Sequence, residues 1–121
     1  MAVLRIGSVV IRVDDLARQT AFWSAALDYA VRVDTSDDFR LLYPRDGVGP
    51  NLSLDMHRSE VRVPPRIHLD LYAKDQAAEV KRLCALGATE VHWTKRPVDA
   101  DYVILADPEG NRFCVVDASM E

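Results

Sequence analysis

What most constrains this chain is that one pattern of elements runs through it twice. From Ile6 to Val13 (IGSVVIRV), β-branched residues crowd together and predict a strand. Asp14 and Asp15 end it, with Asp15 placed to cap a helix over Ala17–Leu27, where Phe22, Ala26 and Leu27 recur at helical spacing. Three short strands are predicted next: Ala30–Asp34, Phe39–Tyr43 and Asn51–Met56, the last after the turn-rich stretch Pro44–Pro50. The pattern then restarts. Ile67–Ala73 predicts a strand, Asp75 a cap, and Gln76–Leu86 an amphipathic helix closed by Gly87, the position beyond a helix that glycine favours. Thr89–Thr94, Tyr102–Ala106 and Phe113–Asp117 complete the second copy, the last two joined by the turn Asp107–Asn111. Laying Asp15 on Asp75 sets Ser8 opposite His68, and carrying the overlay to the last strands sets Ser53 opposite Cys114. Each copy alone would leave a half-exposed sheet face, which is a physical reason for two to occur together.

The chain is thus predicted to be α+β, one domain over 1–121 built of two βαβββ modules. Module 1 covers about 4–57 and module 2 about 66–118, with a polar linker at about 58–65 in which Pro64-Pro65 favours extended backbone. The net charge of −4 argues against nucleic-acid and anionic-membrane surfaces, which want basic patches. No apolar run reaches the roughly 18 residues of a membrane span, and the N-terminal segment lacks the pattern of a signal peptide. Cys84 and Cys114 sit in apolar contexts without CxxC spacing, so reduced thiols and a cytoplasmic protein are expected. There is no glycine-rich phosphate loop, HExxH or GxSxG, so the usual nucleotide, zincin and hydrolase chemistries have no support.

Three segments carry a resemblance. VVIRVDDLARQTAFWSAAL, IHLDLYAKDQAAEVKRLCALGA and LADPEGNRFCVV follow one another in the order and spacing of the vicinal oxygen chelate (glyoxalase/bleomycin-resistance) superfamily, and the pattern is most similar to its glyoxalase-like domain branch. The resemblance implies a curved, mostly antiparallel sheet or half-barrel around a small-molecule pocket, usually in a homodimer. It also implies one of two kinds of activity: a metal-dependent lyase, isomerase or dioxygenase, or metal-free sequestration of an antibiotic or metabolite.

Metal-dependent relatives hold a divalent ion on His or Glu side chains from the first and last strands of each module. Those positions map here to Ser8, Ser53, His68 and Cys114. His68 is the one good ligand among them, because neutral hydroxyls bind divalent ions weakly and a thiol suits only a soft ion. No metal and no other cofactor is therefore expected. Strand alternation puts Val10, Arg12, Asn51, Asp55, Asp70, Tyr72, Arg112 and Val116 on the face of those four residues.

His68 and Asp70 form the candidate catalytic pair, an imidazole with a carboxylate suited to general acid/base work near neutral pH. A histidine that opens a half-buried strand can equally be a packed residue, and Asp70 can equally pair with an arginine such as Arg12. The candidate ligand-binding set is Ser8, Arg12, Trp23, Ser53, His68, Tyr72, Trp93, Tyr102 and Cys114. Of Phe22 and Trp23, about 100° apart on a helix, one is expected in the core and the other at a module boundary or pocket rim. Three functions fit these features: metal-free binding of a small organic molecule, catalysis around His68 and Asp70 or a residual metal site, and an interface whose partner is the function.

Overall fold

The computed structural model describes residues 6–32, 36–56 and 68–120. The chain divides into two compact units, Met1–Val61 and Arg62–Glu121, and each holds one copy of the repeat. The proposed linker and His57 lie outside the described residues.

In the first unit, β1 (Ser8–Arg12) is followed by α1 (Leu16–Leu27), β2 (Tyr29–Val31), β3 (Phe39–Pro44) and β4 (Asn51–Asp55). The sheet order is β1-β4-β3-β2, with β1 and β4 parallel and the other two pairings antiparallel. The second unit repeats this plan with β5 (Leu69–Ala73), α2 (Gln76–Leu86), β6 (Thr89–Glu90), β7 (Tyr102–Ala106) and β8 (Arg112–Asp117). Its order is β5-β8-β7-β6, again with a parallel pair between its first and last strands. The two copies are therefore the same α+β module, each a mixed sheet with one helix.

The helix starts follow from single side chains. The Asp15 carboxylate accepts a hydrogen bond from the Arg18 amide at 3.0 Å, and Asp75 accepts one from the Ala78 amide at 3.1 Å. Each satisfies a first-turn N–H that has no partner within its helix. Asp15→Ala and Asp75→Ala should each cost about 1 kcal/mol in urea unfolding. A loss confined to one of the two would show that the caps are not equivalent.

Each helix lies on one face of its own sheet. In the first unit Leu16, Phe22, Trp23 and Ala26 bury against Leu42, Leu52 and Leu54. In the second, Leu83 joins Leu105, Phe113 and Val115 in the core. Two expectations are corrected here. Trp23 is not at a pocket rim: it is 1% exposed and forms an edge-to-face pair with Phe22, so both aromatics are core. The strand expected over Thr89–Thr94 ends at Glu90. One more ladder bond, from the Val91 amide to the Ile104 carbonyl, is followed by a turn in which the Arg96 amide donates to the Trp93 carbonyl. Pro97, which has no N–H to offer a ladder, stands just beyond it.

Candidate functional site

The opposite face of each sheet is free of its own helix. Strand alternation and register say which side chains stand there. In the first unit Ser8, Val10 and Arg12 pair with Asn51, Ser53 and Asp55, while the intervening Leu52 and Leu54 turn into the core. In the second, Asp70 pairs with Cys114 and Tyr72 with Val116, and β7 sets Ile104 beside Cys114 and Tyr102 beside Val116. Val10–Ser53 and Asp70–Cys114 are equivalent parallel pairs, so the register agrees with the overlay of the two copies.

The chemistry of the two faces differs. On the first, the Ser8 and Ser53 hydroxyls bond to each other at 2.6 Å, and Ser53 is buried. The Arg12 guanidinium pairs locally with Asp14 at 3.4 Å. Two hydroxyls occupied with one another offer little to a divalent ion, so this half does not fit the metal centre that the resemblance implies.

On the second face, His68 Nε2 lies 3.0 Å from Asp70 Oδ1 with both side chains about half exposed. Cys114 completes a group of three whose donor atoms lie within 4.8 Å of one another. Burial first, then the negative charge of Asp70 and a hydrogen bond to it, push the Cys114 thiol above its ordinary value. The thiol therefore donates to Asp70 in its neutral form. Asp70 is the hub of the group, with the imidazole on one side and the thiol on the other. Cys84 is exposed on α2, and both cysteines are free thiols.

At the β6 edge of this sheet lies a cavity of about 310 Å³ lined by Glu90, Val91, His92, Trp93, Arg96, Val103 and Ile104. Trp93 is 47% exposed there. Arg96 fixes the wall: its guanidinium donates to the Tyr102 and Ala100 carbonyls and lies 5.5 Å above the Tyr102 ring. Ile104 belongs to both features, since it lines the cavity and is the register partner of Cys114. A smaller notch of about 220 Å³ in the first unit, between Leu27 and Val48, is flanked by the Arg45–Asp28 ion pair.

Of the residues singled out from sequence, His68, Tyr72, Tyr102 and Cys114 stand on the second open face, and Trp93 at the edge cavity. Ser8, Arg12 and Ser53 stand on the first open face, and Trp23 on neither. Sequence reasoning missed Arg96, which looks like one more surface arginine. The signal available was its place between Trp93 and Pro97, where a turn brings an aromatic and a cation together.

The glyoxalase-like domain family model matches residues 8–116. This chain belongs to that family. Solved structures show the same glyoxalase fold at low identity. One is a glyoxalase/bleomycin resistance protein/dioxygenase superfamily member from Sphaerobacter thermophilus, 20% identical over 95% of this chain and 98% of that one, with a TM-score of 0.70. An enzyme of the same name from Burkholderia phytofirmans is 17% identical over 92% and 96%, with a TM-score of 0.69. A mutant fosfomycin resistance protein from Listeria monocytogenes, complexed with Mn(II) and 1S,2S-dihydroxypropylphosphonic acid, is 14% identical over 96% and 90%, with a TM-score of 0.71. No curated protein sequence matched. No helix among the described residues is long and apolar enough to cross a membrane.

Proposed function

We propose that this glyoxalase-like protein binds a small organic molecule, a metabolite or an antibiotic, and that this binding needs no metal. The observation that carries the reading is the open face of the second sheet. It joins a polar group, His68, Asp70 and Cys114, through Ile104 to an edge cavity with an exposed indole. A site of this kind has what a small ligand needs: an apolar wall, a few fixed polar groups and a volume of about 300 Å³ or more. Tyr72, 67% exposed on β5, and Tyr102 add aromatic surface. The fosfomycin resistance protein shows that the fold can serve antibiotic defence.

A thermal-shift screen of metabolites and antibiotics tests this, since a ligand that binds only the native state raises stability with the logarithm of its concentration over Kd. With the compound the screen returns, His68→Ala and Trp93→Ala should each weaken binding about tenfold or more, the roughly 1.4 kcal/mol of one good contact. Both side chains are exposed, so stability should change by no more than about 0.5 kcal/mol. Affinity unchanged in both variants would remove the second open face from the site.

The 3.0 Å contact between His68 and Asp70 supports a second reading, a lyase, isomerase or dioxygenase in which this pair moves a proton. Turnover of a bound compound, lost in Asp70→Asn while binding persists, would favour it. The family precedent also supports a homodimer, for which light scattering should give a particle of two 13.6 kDa chains. The two free thiols fit a reducing, cytoplasmic setting.

A further inference from the structure

We infer that the edge cavity of the second module selects an organic anion with a planar aromatic body and a single negative charge, of the aromatic monocarboxylate class. The inference rests on the ligand-binding reading above and names the chemistry of the ligand. The cavity, about 310 Å³, offers an aromatic surface in the half-exposed indole of Trp93 and aliphatic surface in Val91, Val103 and Ile104. Its two charged groups are Arg96 and Glu90. A space of this size stands at the small end of ligand pockets, and an indole beside it gives a planar ring a stacking surface.

Arg96 recognises the anion. Its Nε and Nη2 donate to the Tyr102 and Ala100 carbonyls, and its guanidinium lies over the Tyr102 ring. Carbonyls and a ring face hold the group in place and leave its charge uncompensated, since no carboxylate pairs with it among the described residues. A guanidinium has five N–H groups, and those on Nη1 have no acceptor among the described residues. A half-buried guanidinium that is fixed by neutral partners and has N–H groups to spare is preorganised for a carboxylate, which it holds by charge-assisted hydrogen bonds.

Glu90 limits the charge of the ligand. It lines the same cavity, and no cation pairs with it among the described residues. Its register partner is Leu105, three residues along β7 from Tyr102, whose carbonyl anchors Arg96. About 10 Å of strand therefore separates the two anchor points. A carboxylate held at Arg96 stands apart from Glu90, whereas a second carboxylate at the far end of a two-ring ligand meets a like charge. The cavity thus admits one negative charge and refuses two by repulsion.

The test is calorimetric titration of the full-length protein with benzoate and 2-naphthoate, each beside its neutral amide, and with 2,6-naphthalenedicarboxylate. At least one of the two monocarboxylates should bind, one per chain, with its amide about tenfold weaker or more, as loss of a charge-assisted contact requires. The dicarboxylate should bind about threefold more weakly or worse than 2-naphthoate, and Glu90→Gln should bring the two within about twofold of each other. Trp93→Ala should weaken the monocarboxylate about tenfold. Because Arg96 also ties its turn to the Ala100 and Tyr102 carbonyls, the comparison of acid with amide on the unmutated protein replaces an Arg96 variant. Neither monocarboxylate bound, amides bound as tightly as acids, or a dicarboxylate penalty unchanged in Glu90→Gln would each overturn the inference. Neutral compounds that still bind through His68 and Trp93 would in that case leave the ligand-binding reading standing, whereas a screen in which nothing binds removes both.

Discussion

Replacing Trp23 by alanine is expected to lower the free energy of unfolding by about 3–5 kcal/mol. That is a large part of the roughly 5–15 kcal/mol that holds a domain folded. The indole is 1% exposed, and its ring centroid lies 5.1 Å from that of Phe22 at an interplanar angle of 89°. Removing it takes away transfer energy, the edge-to-face contact and the packing of its neighbours, and leaves a void that the surroundings fill only in part. Tyr72→Ala, on an exposed position of β5, should cost about 0.5 kcal/mol or less and serves as the control. Urea unfolding followed by circular dichroism measures both. A Trp23→Ala loss under about 1 kcal/mol would show that the indole is not the centre of the first module's core.

The second large effect is expected at Asp107. Its carboxylate is buried and accepts hydrogen bonds at Oδ1 from the Glu109 and Asn111 amides at 2.9 Å each, and at Oδ2 from the Asn111 side-chain amide at 2.8 Å. Backbone bonds from the Asp107 amide to the Asn111 carbonyl and from the Gly110 amide to the Asp107 carbonyl close the same turn. Gly110 sits at φ +91°, a conformation that a Cβ would strain. Asp107→Ala leaves the two backbone amides and the Asn111 side-chain amide without their acceptor, at about 1–3 kcal/mol for each group that water cannot reach. We expect a loss of about 2–4 kcal/mol in denaturant unfolding, with Asp107→Asn in between because its amide oxygen keeps one acceptor. A loss below about 0.5 kcal/mol would mean that the backbone bonds alone hold the turn. The consequence reaches the candidate site, because this turn joins β7 to β8 and so sets Ile104 beside Cys114.

What was legible in the sequence was local. Caps at Asp15 and Asp75, the helix over Gln76–Leu86 and the strand over Tyr102–Ala106 depend on neighbours a few residues away, and the structure has them where the spacing put them. Trp23 was misplaced because a 100° step between adjacent residues suggests that one must face outward. Helix α1 instead buries Leu16, Gln19, Phe22, Trp23 and Ala26, a stripe wide enough for both aromatics. The third donor beside His68 and Cys114 was visible as a partner of His68 and not as part of a three-residue group. The overlay compares equivalent positions, and Asp70's equivalent, Val10, offers no donor. What makes the group is the pairing of Asp70 with Cys114 between strands far apart in sequence, and local patterning carries no signal for that contact. Arg96 escaped notice for a similar reason, since its partners are the carbonyls of Ala100 and Tyr102 across a turn.

The central claim is that the open face of the second sheet carries the ligand-binding chemistry. The most direct measurement is an amide ¹H–¹⁵N titration with a compound that raises the melting temperature. The account predicts shifts concentrated at 68–72, 91–96, 102–104 and 112–116, with the exposed side of α2 around Lys81 and Cys84 unmoved. Shifts concentrated on α2, or on the first module alone, would contradict it.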